Sequence, residues 1–186
     1  MTFSTNFEFA FHHTLELEGG WSNHKADTGG KTKFGVTEAN WNRYAAENGI
    51  AKPIHEITVA DAKGFYWSEF WQEYKIELLG DKFVSSEFFD TAVNCGPHAA
   101  GVCLQRALNF IGYVDWPYTT VDGVVGPVTR DNVRKALGKG LRKALIVSMN
   151  GAQWAYYESL SLKERARYNN FTRGWVKRLS LLEGLE

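Results

Sequence analysis

The chain lacks the features that mark several common classes of protein. Its 21 basic and 21 acidic side chains give a formal net charge of zero, so bulk electrostatics does not indicate a nucleic-acid partner. The first residues carry neither a basic region nor a long apolar run, which predicts no signal peptide and no stable membrane insertion. We therefore expect the protein to be made in the cytosol.

Cysteine is scarce, and its two copies do not predict a disulfide. On one helix Cys95 and Cys103 would lie roughly 12 Å apart, which is too far for a bridge, so we expect free thiols. The five histidines form no H-E-x-x-H pair, and the chain contains no phosphate-binding loop, dinucleotide fingerprint or G-x-S-x-G elbow. We therefore predict no metal and no cofactor.

What the chain does have is the composition of a folded protein. Hydrophobic residues make up 44% and charged residues 23% of its 186 residues, which is typical of a globular domain of ordinary size or a domain with a small lobe. Seven Trp and eight Tyr suit an aromatic core or, for some of them, a groove in which flat rings stack on sugars.

Most segments have the periodicity of helices, and capping residues indicate their ends. Ser85 or Ser86 is expected to cap a helix that continues to Val93. Residues 94–97 should interrupt it, because the residue before a proline avoids the helical conformation. A long amphipathic helix is predicted over 141–160. Further helix starts are predicted at Thr37, Thr58 and Pro127.

The segment before Glu18 is predicted to form an amphipathic helix. Thr5 and Glu8 have the spacing of a capping box, so the helix should begin at the residue after Thr5, and the glycine pair 19–20 should end it. Glu18 continues the stripe that faces the core, whereas Glu16 points the other way. The stripe consists of Phe7, Phe11, Thr14 and Leu15.

This position suits a catalytic acid. Partial desolvation and the negative end of the helix dipole should both raise the pKa of Glu18, so that it can donate a proton to a leaving oxygen. Asp27 follows nine positions later, and a turn at residues 29–30 would bring Asp27 and Thr32 close to the helix end. A proton donor facing a second polar or anionic group can cleave a glycosidic bond. From the local sequence alone, a surface glutamate and a turn-capping aspartate remain the alternatives.

The same stretch carries a family resemblance. The motif L-E-G-G-W at 17–21 and the motif D-x-G-G-x-T-x-x-G-V-T at 27–37 resemble the signature of glycoside hydrolase family 108. Members of this family are N-acetylmuramidases of phages and bacteria that cut the peptidoglycan glycan strand. Later segments extend the resemblance over nearly the whole chain. They are F-D-T-A-V-N-C-G-P at 89–97, L-Q-x-x-L-N at 104–109, V-D-G-V-V-G-P-x-T at 121–129 and G-W-x-x-R at 174–178.

The resemblance implies a mainly α, lysozyme-like helical fold with a small β-hairpin next to the active-site helix. It assigns the essential acid to Glu18, which would protonate the oxygen of the β-1,4 bond between N-acetylmuramic acid and N-acetylglucosamine. A looser similarity to phage lysozymes implies catalytic roles for Asp27 and Thr32, although Thr32 follows Asp27 by five positions rather than six. Candidates for substrate binding are Trp21, Phe34, Asn94 and Trp175.

The resemblance also implies two regions. Residues 1–93 would form the catalytic muramidase region. Residues 94–186 would form a helical, peptidoglycan-binding-like lobe packed against it as one compact body, since no linker separates them. The implied partner is the peptidoglycan glycan strand. An endolysin of a phage or prophage, made in the bacterial cytoplasm without a signal peptide, would need a holin or a secretion system to reach the cell wall.

Two other functions remain open at this point. A lytic transglycosylase would cleave the same bond with Glu18 as acid and then base, and it would not need Asp27. A non-catalytic wall-binding or secretion-accessory protein could keep the same fold, although the presence of both carboxylates argues against it. Whether a hydrolase inverts or retains the anomeric configuration depends on the separation of its two carboxyl groups.

Overall fold

The computed structural model describes residues 2–18, 21–22, 31–112, 114–168 and 171–179, with the backbone alone at 16–18, 21–22 and 166–167. Within these ranges the chain is mainly helical and carries a small antiparallel sheet, as predicted. In the same ranges, no helix combines the length and the apolar character needed to cross a membrane.

The helices and strands follow one another along the chain in a simple order. The helices are α1 (Thr5–Glu18), α2 (Glu38–Glu47), α3 (Val59–Tyr66), α4 (Lys82–Cys95), α5 (Pro97–Ile111), α6 (Pro127–Gly138), α7 (Arg142–Lys163), α8 (Arg165–Tyr168) and α9 (Thr172–Arg178). Short 3₁₀ turns cover Ile54–Glu56 and Ile76–Leu79, and a π-helical segment, Trp67–Gln72, continues α3. The strands are β1 (Trp21–Ser22), β2 (Thr32–Lys33) and β3 (Val36–Thr37).

The core forms where α1 packs on α4. Phe7 is fully buried, and its ring meets the ring of Phe89 on α4 edge-on, with 5.9 Å between centroids. Phe11 and Thr14 are also buried, so the predicted stripe of α1 does face the core. Burying one such aromatic side chain contributes roughly 2–3 kcal/mol. The hydrophobic core continues from there to Met149 on α7.

Helices α4 and α7 run in the same direction. Asp81 precedes α4 and pairs with Arg142 at the start of α7, while Asn94 near the end of α4 bonds Tyr157 further along α7. The partners on the two helices therefore advance together. Helix α5 packs against both of them.

Several predicted helix boundaries are confirmed. Thr37 caps α2 by accepting a hydrogen bond from the amide of Asn40, and Thr58 forms a capping box with Asp61 at the start of α3. The predicted interruption after α4 falls at Gly96, whose φ of 86° few other residues would adopt.

The predicted cap of α1, Thr5, is wrong by one residue. The cap is Ser4, whose hydroxyl accepts a hydrogen bond from the amide of Phe7 at 3.2 Å, and the helix begins at Thr5. Both residues are capable of capping, and the helix uses the one that lies further upstream.

The predicted start of α4 is wrong by several residues. Asp81 is the cap, because its Oδ1 accepts hydrogen bonds from the amides of Phe83 and Val84, each at 3.1 Å. Ser85 and Ser86 therefore lie inside the helix, where both are buried. The other oxygen of Asp81, Oδ2, accepts a bond from Arg142 Nε at 2.8 Å, so one carboxylate joins the beginnings of α4 and α7.

Replacing Asp81 should therefore destabilise the fold. We expect Asp81→Ala to lower the free energy of unfolding by about 1–2 kcal/mol, because it removes a helix cap and leaves Arg142 without this partner. Urea unfolding measures the effect. The control is Asp131→Ala, which removes an exposed pair with Lys135 within α6 and should change stability by less than about 0.5 kcal/mol. Equal effects of the two substitutions would contradict the role of the cap.

Candidate active site

Glu18 is the last residue of α1. Phe7, Phe11 and Thr14 hold the preceding turns of this helix against the core, so the backbone ends where the sequence predicts. The side chain of Glu18 falls outside the described residues, and its role as the catalytic acid stays a prediction.

The predicted hairpin follows directly. Strand β1 pairs antiparallel with β2, with Trp21 opposite Lys33 and Ser22 opposite Thr32. The hairpin thus returns the backbone of Thr32 to the strand that begins three positions after Glu18. Asp27 and the side chain of Trp21 lie outside the described residues, so the structure does not test their predicted roles.

Phe34 lies in a tight turn that the sequence analysis did not predict. β2 pairs with β3, with Lys33 opposite Val36, so Phe34 and Gly35 form a two-residue turn with φ of 52° and 77°. Positive φ at both central residues is typical of a type I′ hairpin, but it is unfavourable for phenylalanine. The buried Tyr66 donates a hydrogen bond from its hydroxyl to the carbonyl of Phe34 at 3.0 Å, which stabilises the turn.

A second group of polar residues lies between α4, α7 and α9, and we call it the polar seam. In each of the two longer helices its members are three and four positions apart, so they occupy one face of that helix. All of them except the partly exposed Asn94 are buried, in a contact between helices that elsewhere pack through apolar side chains. The seam consists of Glu87, Asp90 and Asn94 on α4, Asn150, Gln153 and Tyr157 on α7, and Arg178 on α9.

Glu87 is one of two buried acids of the seam, with 5% of its surface exposed. Burial, helped by the nearby Asp90 and opposed by a hydrogen bond from Asn150, raises the pKa of Glu87 to about 8. Its carboxyl group is therefore mainly protonated at neutral pH. A neutral acid here avoids placing a second negative charge beside Asp90.

Asp90 is paired with Arg178. Arg178 Nη1 donates a hydrogen bond to Asp90 Oδ1 at 2.6 Å, and both side chains are over 90% buried. Removing either partner would leave an uncompensated charge inside the protein, which is strongly destabilising. This pair connects α4 to α9 across 88 positions of sequence.

The structure brings two of the predicted substrate-binding residues, Asn94 and Trp175, into one cluster. Tyr157 donates its hydroxyl hydrogen to Asn94 Oδ1 at 2.8 Å, and its ring stacks on Trp175 with 4.7 Å between centroids. The oxygen of Asn94 is thus already engaged within the protein. The other two candidates, Trp21 and Phe34, belong to the strands and turn after α1, and whether any of the four contacts substrate stays a prediction.

Sequence reasoning missed the roles of Glu87, Gln153, Tyr157 and Arg178. The available signal was the matching spacing of polar residues, at 87, 90 and 94 on α4 and at 150, 153 and 157 on α7. The first and last members of these sets pair with each other. On one helix such a stripe resembles a solvated face, and only the register between the two helices shows that it is internal.

The thiols do not contribute a nucleophile. Cys95 and Cys103 are free, and burial raises their pKa values to about 11 and about 12, so neither forms a thiolate readily near neutral pH. Among the residues that the structure describes, no group of three or more His, Cys, Asp or Glu side chains could hold a metal ion.

A helical fold in which an acid-bearing helix leads into a small hairpin defines a lysozyme-like protein, and comparison with known families agrees. Residues 11–96 match the family described as Glycosyl hydrolase 108, and residues 99–180 match the one described as Predicted Peptidoglycan domain. The amino-terminal half of the chain is thus similar to glycosyl hydrolase family 108, and the part that follows is similar to a peptidoglycan domain. The resemblance seen in the sequence motifs is confirmed.

A solved structure is similar to the chain over both halves. The chain is similar to the structure entitled "Structure of Brucella abortus SagA", with a TM-score of 0.68 and 26% sequence identity. The similarity covers 93% of this chain and 88% of that one. No curated protein matches the chain significantly. The two family matches support a peptidoglycan hydrolase that acts as a glycosidase.

The protonated Glu87 predicts a specific dependence of stability on pH. The folded protein keeps this proton up to about pH 8, whereas the unfolded chain loses it near the usual value of 4.5. Between these values the folded state binds more protons, so the free energy of unfolding falls as the pH rises. The stabilisation is complete below pH 4.5 and is lost as the pH approaches 8, by about 1.4 kcal/mol for each unit of pKa difference.

Glu87→Gln tests this dependence, because an amide resembles the neutral acid but cannot lose its proton. We expect the advantage of the variant over the wild type to grow from pH 5 to pH 8 in urea unfolding experiments. The exposed Glu47 provides the control, and Glu47→Gln should follow the wild type throughout. Parallel curves for Glu87→Gln and the wild type would show that Glu87 is ionised in the folded protein.

Proposed function

We propose that the protein is an N-acetylmuramidase that hydrolyses the β-1,4 bond between N-acetylmuramic acid and N-acetylglucosamine. The observation that carries this proposal is that Glu18 ends α1 immediately before a hairpin, in a chain whose two halves match a glycosidase family and a peptidoglycan domain. Regions 1–93 and 94–186 then divide catalysis and wall binding between them.

Glu18 acts as the general acid. Glu18 lies in the last turn of α1, where the negative end of the helix dipole disfavours an ionised carboxylate. A carboxyl group that keeps its proton can transfer it to the glycosidic oxygen as the bond breaks. The proton donor thus comes from the helix end, and the second polar group comes from the hairpin.

Asp27 stabilises positive charge on the sugar ring or positions the attacking water, and Thr32 holds that water. The register of the hairpin supports this role for Thr32, because its backbone lies opposite Ser22, four positions after Glu18. The turn at Phe34 and Gly35, which the hydrogen bond from Tyr66 stabilises, keeps β2 in that register.

Work on peptidoglycan takes place at the cell wall. The need for export, by a holin or a secretion system, is the prediction made from the amino-terminal sequence, and an endolysin role would follow from it. The peptidoglycan partner itself is supported by the match of residues 99–180.

Substitution of Glu18 tests the proposal. We expect Glu18→Gln to reduce the clearing of purified cell walls at least about 100-fold, since a positioned general acid contributes a factor of 10² to 10⁴. Glu16→Gln, two positions away on the same helix, should keep wild-type activity. Wild-type clearing by Glu18→Gln would make the catalytic assignment wrong.

Product analysis by mass spectrometry identifies the reaction. A reducing N-acetylmuramic acid end indicates hydrolysis, whereas a 1,6-anhydro end would identify a lytic transglycosylase and overturn the hydrolase proposal. Asp27→Asn gives a second readout, because a hydrolase that uses Asp27 should lose most of its activity in this variant.

A further inference from the structure

A cavity of about 410 Å³ lies between α7, α8 and α9, within the residues that match the peptidoglycan domain. Its volume falls within the range of ordinary ligand sites, roughly 300–1,000 Å³. Its lining combines aromatic and aliphatic side chains with two charged ones. Those that matter here are Trp154, Tyr157, Glu158, Leu162, Arg165 and Trp175.

One wall of the cavity is held rigidly. The rings of Tyr157 and Trp175 are stacked at an interplanar angle of 10°. The Tyr157 hydroxyl accepts a hydrogen bond from Gln153 Nε2 and donates one to Asn94 Oδ1, both at 2.8 Å. Because the polar seam fixes this wall before any ligand arrives, little conformational entropy is lost on binding.

The rim of the cavity exposes apolar surface. Trp154 is 50% exposed, Leu162 78% and Val176 52%. Apolar side chains grouped at a cavity mouth indicate an interaction site more often than the same residues scattered singly. The flat indole of Trp154 offers the kind of surface on which the apolar face of a pyranose ring can stack.

The cavity also offers a cation. Arg165 lines it together with the acidic Glu158, but Arg165 makes no ion pair with Glu158 or with any other side chain that the structure describes. A guanidinium group is well suited to bind a carboxylate with two parallel hydrogen bonds. An uncharged polysaccharide would not use this group.

We propose that this cavity binds an acidic muramyl unit of peptidoglycan, with a sugar ring against Trp154 and a carboxylate of the lactyl or stem-peptide group on Arg165. The assignment rests on the proposed function in that both parts of the protein act on the same polymer. The assignment goes beyond that function because it names a second site, built from residues of α7 and α8, and because this site requires the acidic substituent.

Binding in the Glu18→Gln background tests the role of Trp154 without cleavage of the ligand. We expect Trp154→Ala to weaken binding to purified sacculi, measured by sedimentation, about tenfold, and Trp154→Phe to restore most of it. The matched control is Val147→Ala, which shortens another half-exposed side chain of α7 outside the cavity. Equal binding by Trp154→Ala and Val147→Ala would overturn the proposal. Thermal unfolding of each variant checks that the fold is kept.

The charge requirement is tested with two soluble ligands. Arg165→Gln should weaken binding of a muramyl disaccharide–peptide about tenfold and leave binding of chitotetraose, which has no carboxylate, unchanged. Arg173→Gln, an exposed arginine of α9 outside the cavity, should bind both ligands as the parent does. Equal losses for both ligands, or no loss for either, would overturn the role of Arg165.

The outcomes separate this inference from the proposed catalytic function. If Glu18→Gln still cleared cell walls while Trp154→Ala lost binding, the catalytic assignment would fail and the binding site would stand. If Glu18→Gln were inactive and the variants at Trp154 and Arg165 all bound normally, the binding site would fail and the muramidase assignment would stand.

Discussion

The buried ion pair between Asp90 and Arg178 is the contact on which the arrangement of the carboxy-terminal helices depends. Two desolvated charges are costly to bury, and their attraction compensates only when geometry is good. At 2.6 Å and with both side chains nearly inaccessible, the geometry meets that condition. Helix α9 has seven residues, too few to be stable alone, so it relies on contacts of this kind.

The consequences of this pair extend to the aromatic cluster. Arg178 and Trp175 lie on the same short helix, so fixing the arginine also positions the indole over Tyr157. Tyr157 in turn is held by two hydrogen bonds to side chains of α4 and α7. Directional polar contacts thus fix the positions of the two stacked rings. Apolar packing alone would allow these rings more freedom.

The polar seam also fixes how α4 and α7 align. Apolar side chains in a helix interface tolerate small shifts, since one hydrophobic contact replaces another at little cost. The hydrogen bond between Asn94 and Tyr157 does not tolerate such a shift, because moving one helix by a turn would separate the two polar groups. We infer that the seam specifies the register of the two helices in addition to contributing stability.

Local features of the sequence predicted much of this fold. The stripe of α1, the caps at Thr37 and Thr58, and the interruption at Gly96 depend on neighbours within a few positions, and all are observed. The predicted start of α4 is wrong: Asp81 is the cap, and it accepts hydrogen bonds both from its own helix and from Arg142. The role of Asp81 thus depends partly on a helix that begins about 60 residues later, and local patterns cannot show that.

The candidate site likewise has a part that local sequence could predict and a part that it could not. A small hairpin after Glu18 could be predicted from the sequence, but the register that pairs Ser22 with Thr32 does not follow from a tight turn at 29–30. The seam could not, because its residues are polar, fall at ordinary helical spacing and become buried only when two distant helices meet. Buried polar groups are hard to find from sequence. A polar stripe on one helix has the same spacing whether it faces solvent or pairs with another helix.

The boundary between the two family matches is not a boundary in the packing. Helix α4 lies within the glycosidase match, yet one of its faces packs on α1 through Phe89, and its polar face packs on α7 of the peptidoglycan domain. Helices α4 and α5 are joined through Gly96 alone, which leaves no length for a flexible linker. A rigid helix shared by both halves sets the distance from the end of α1 to the cavity beside α7. A polymer bound in that cavity would therefore meet the helix end at a fixed offset along the strand, and this geometric constraint is one that a tethered binding domain could not impose.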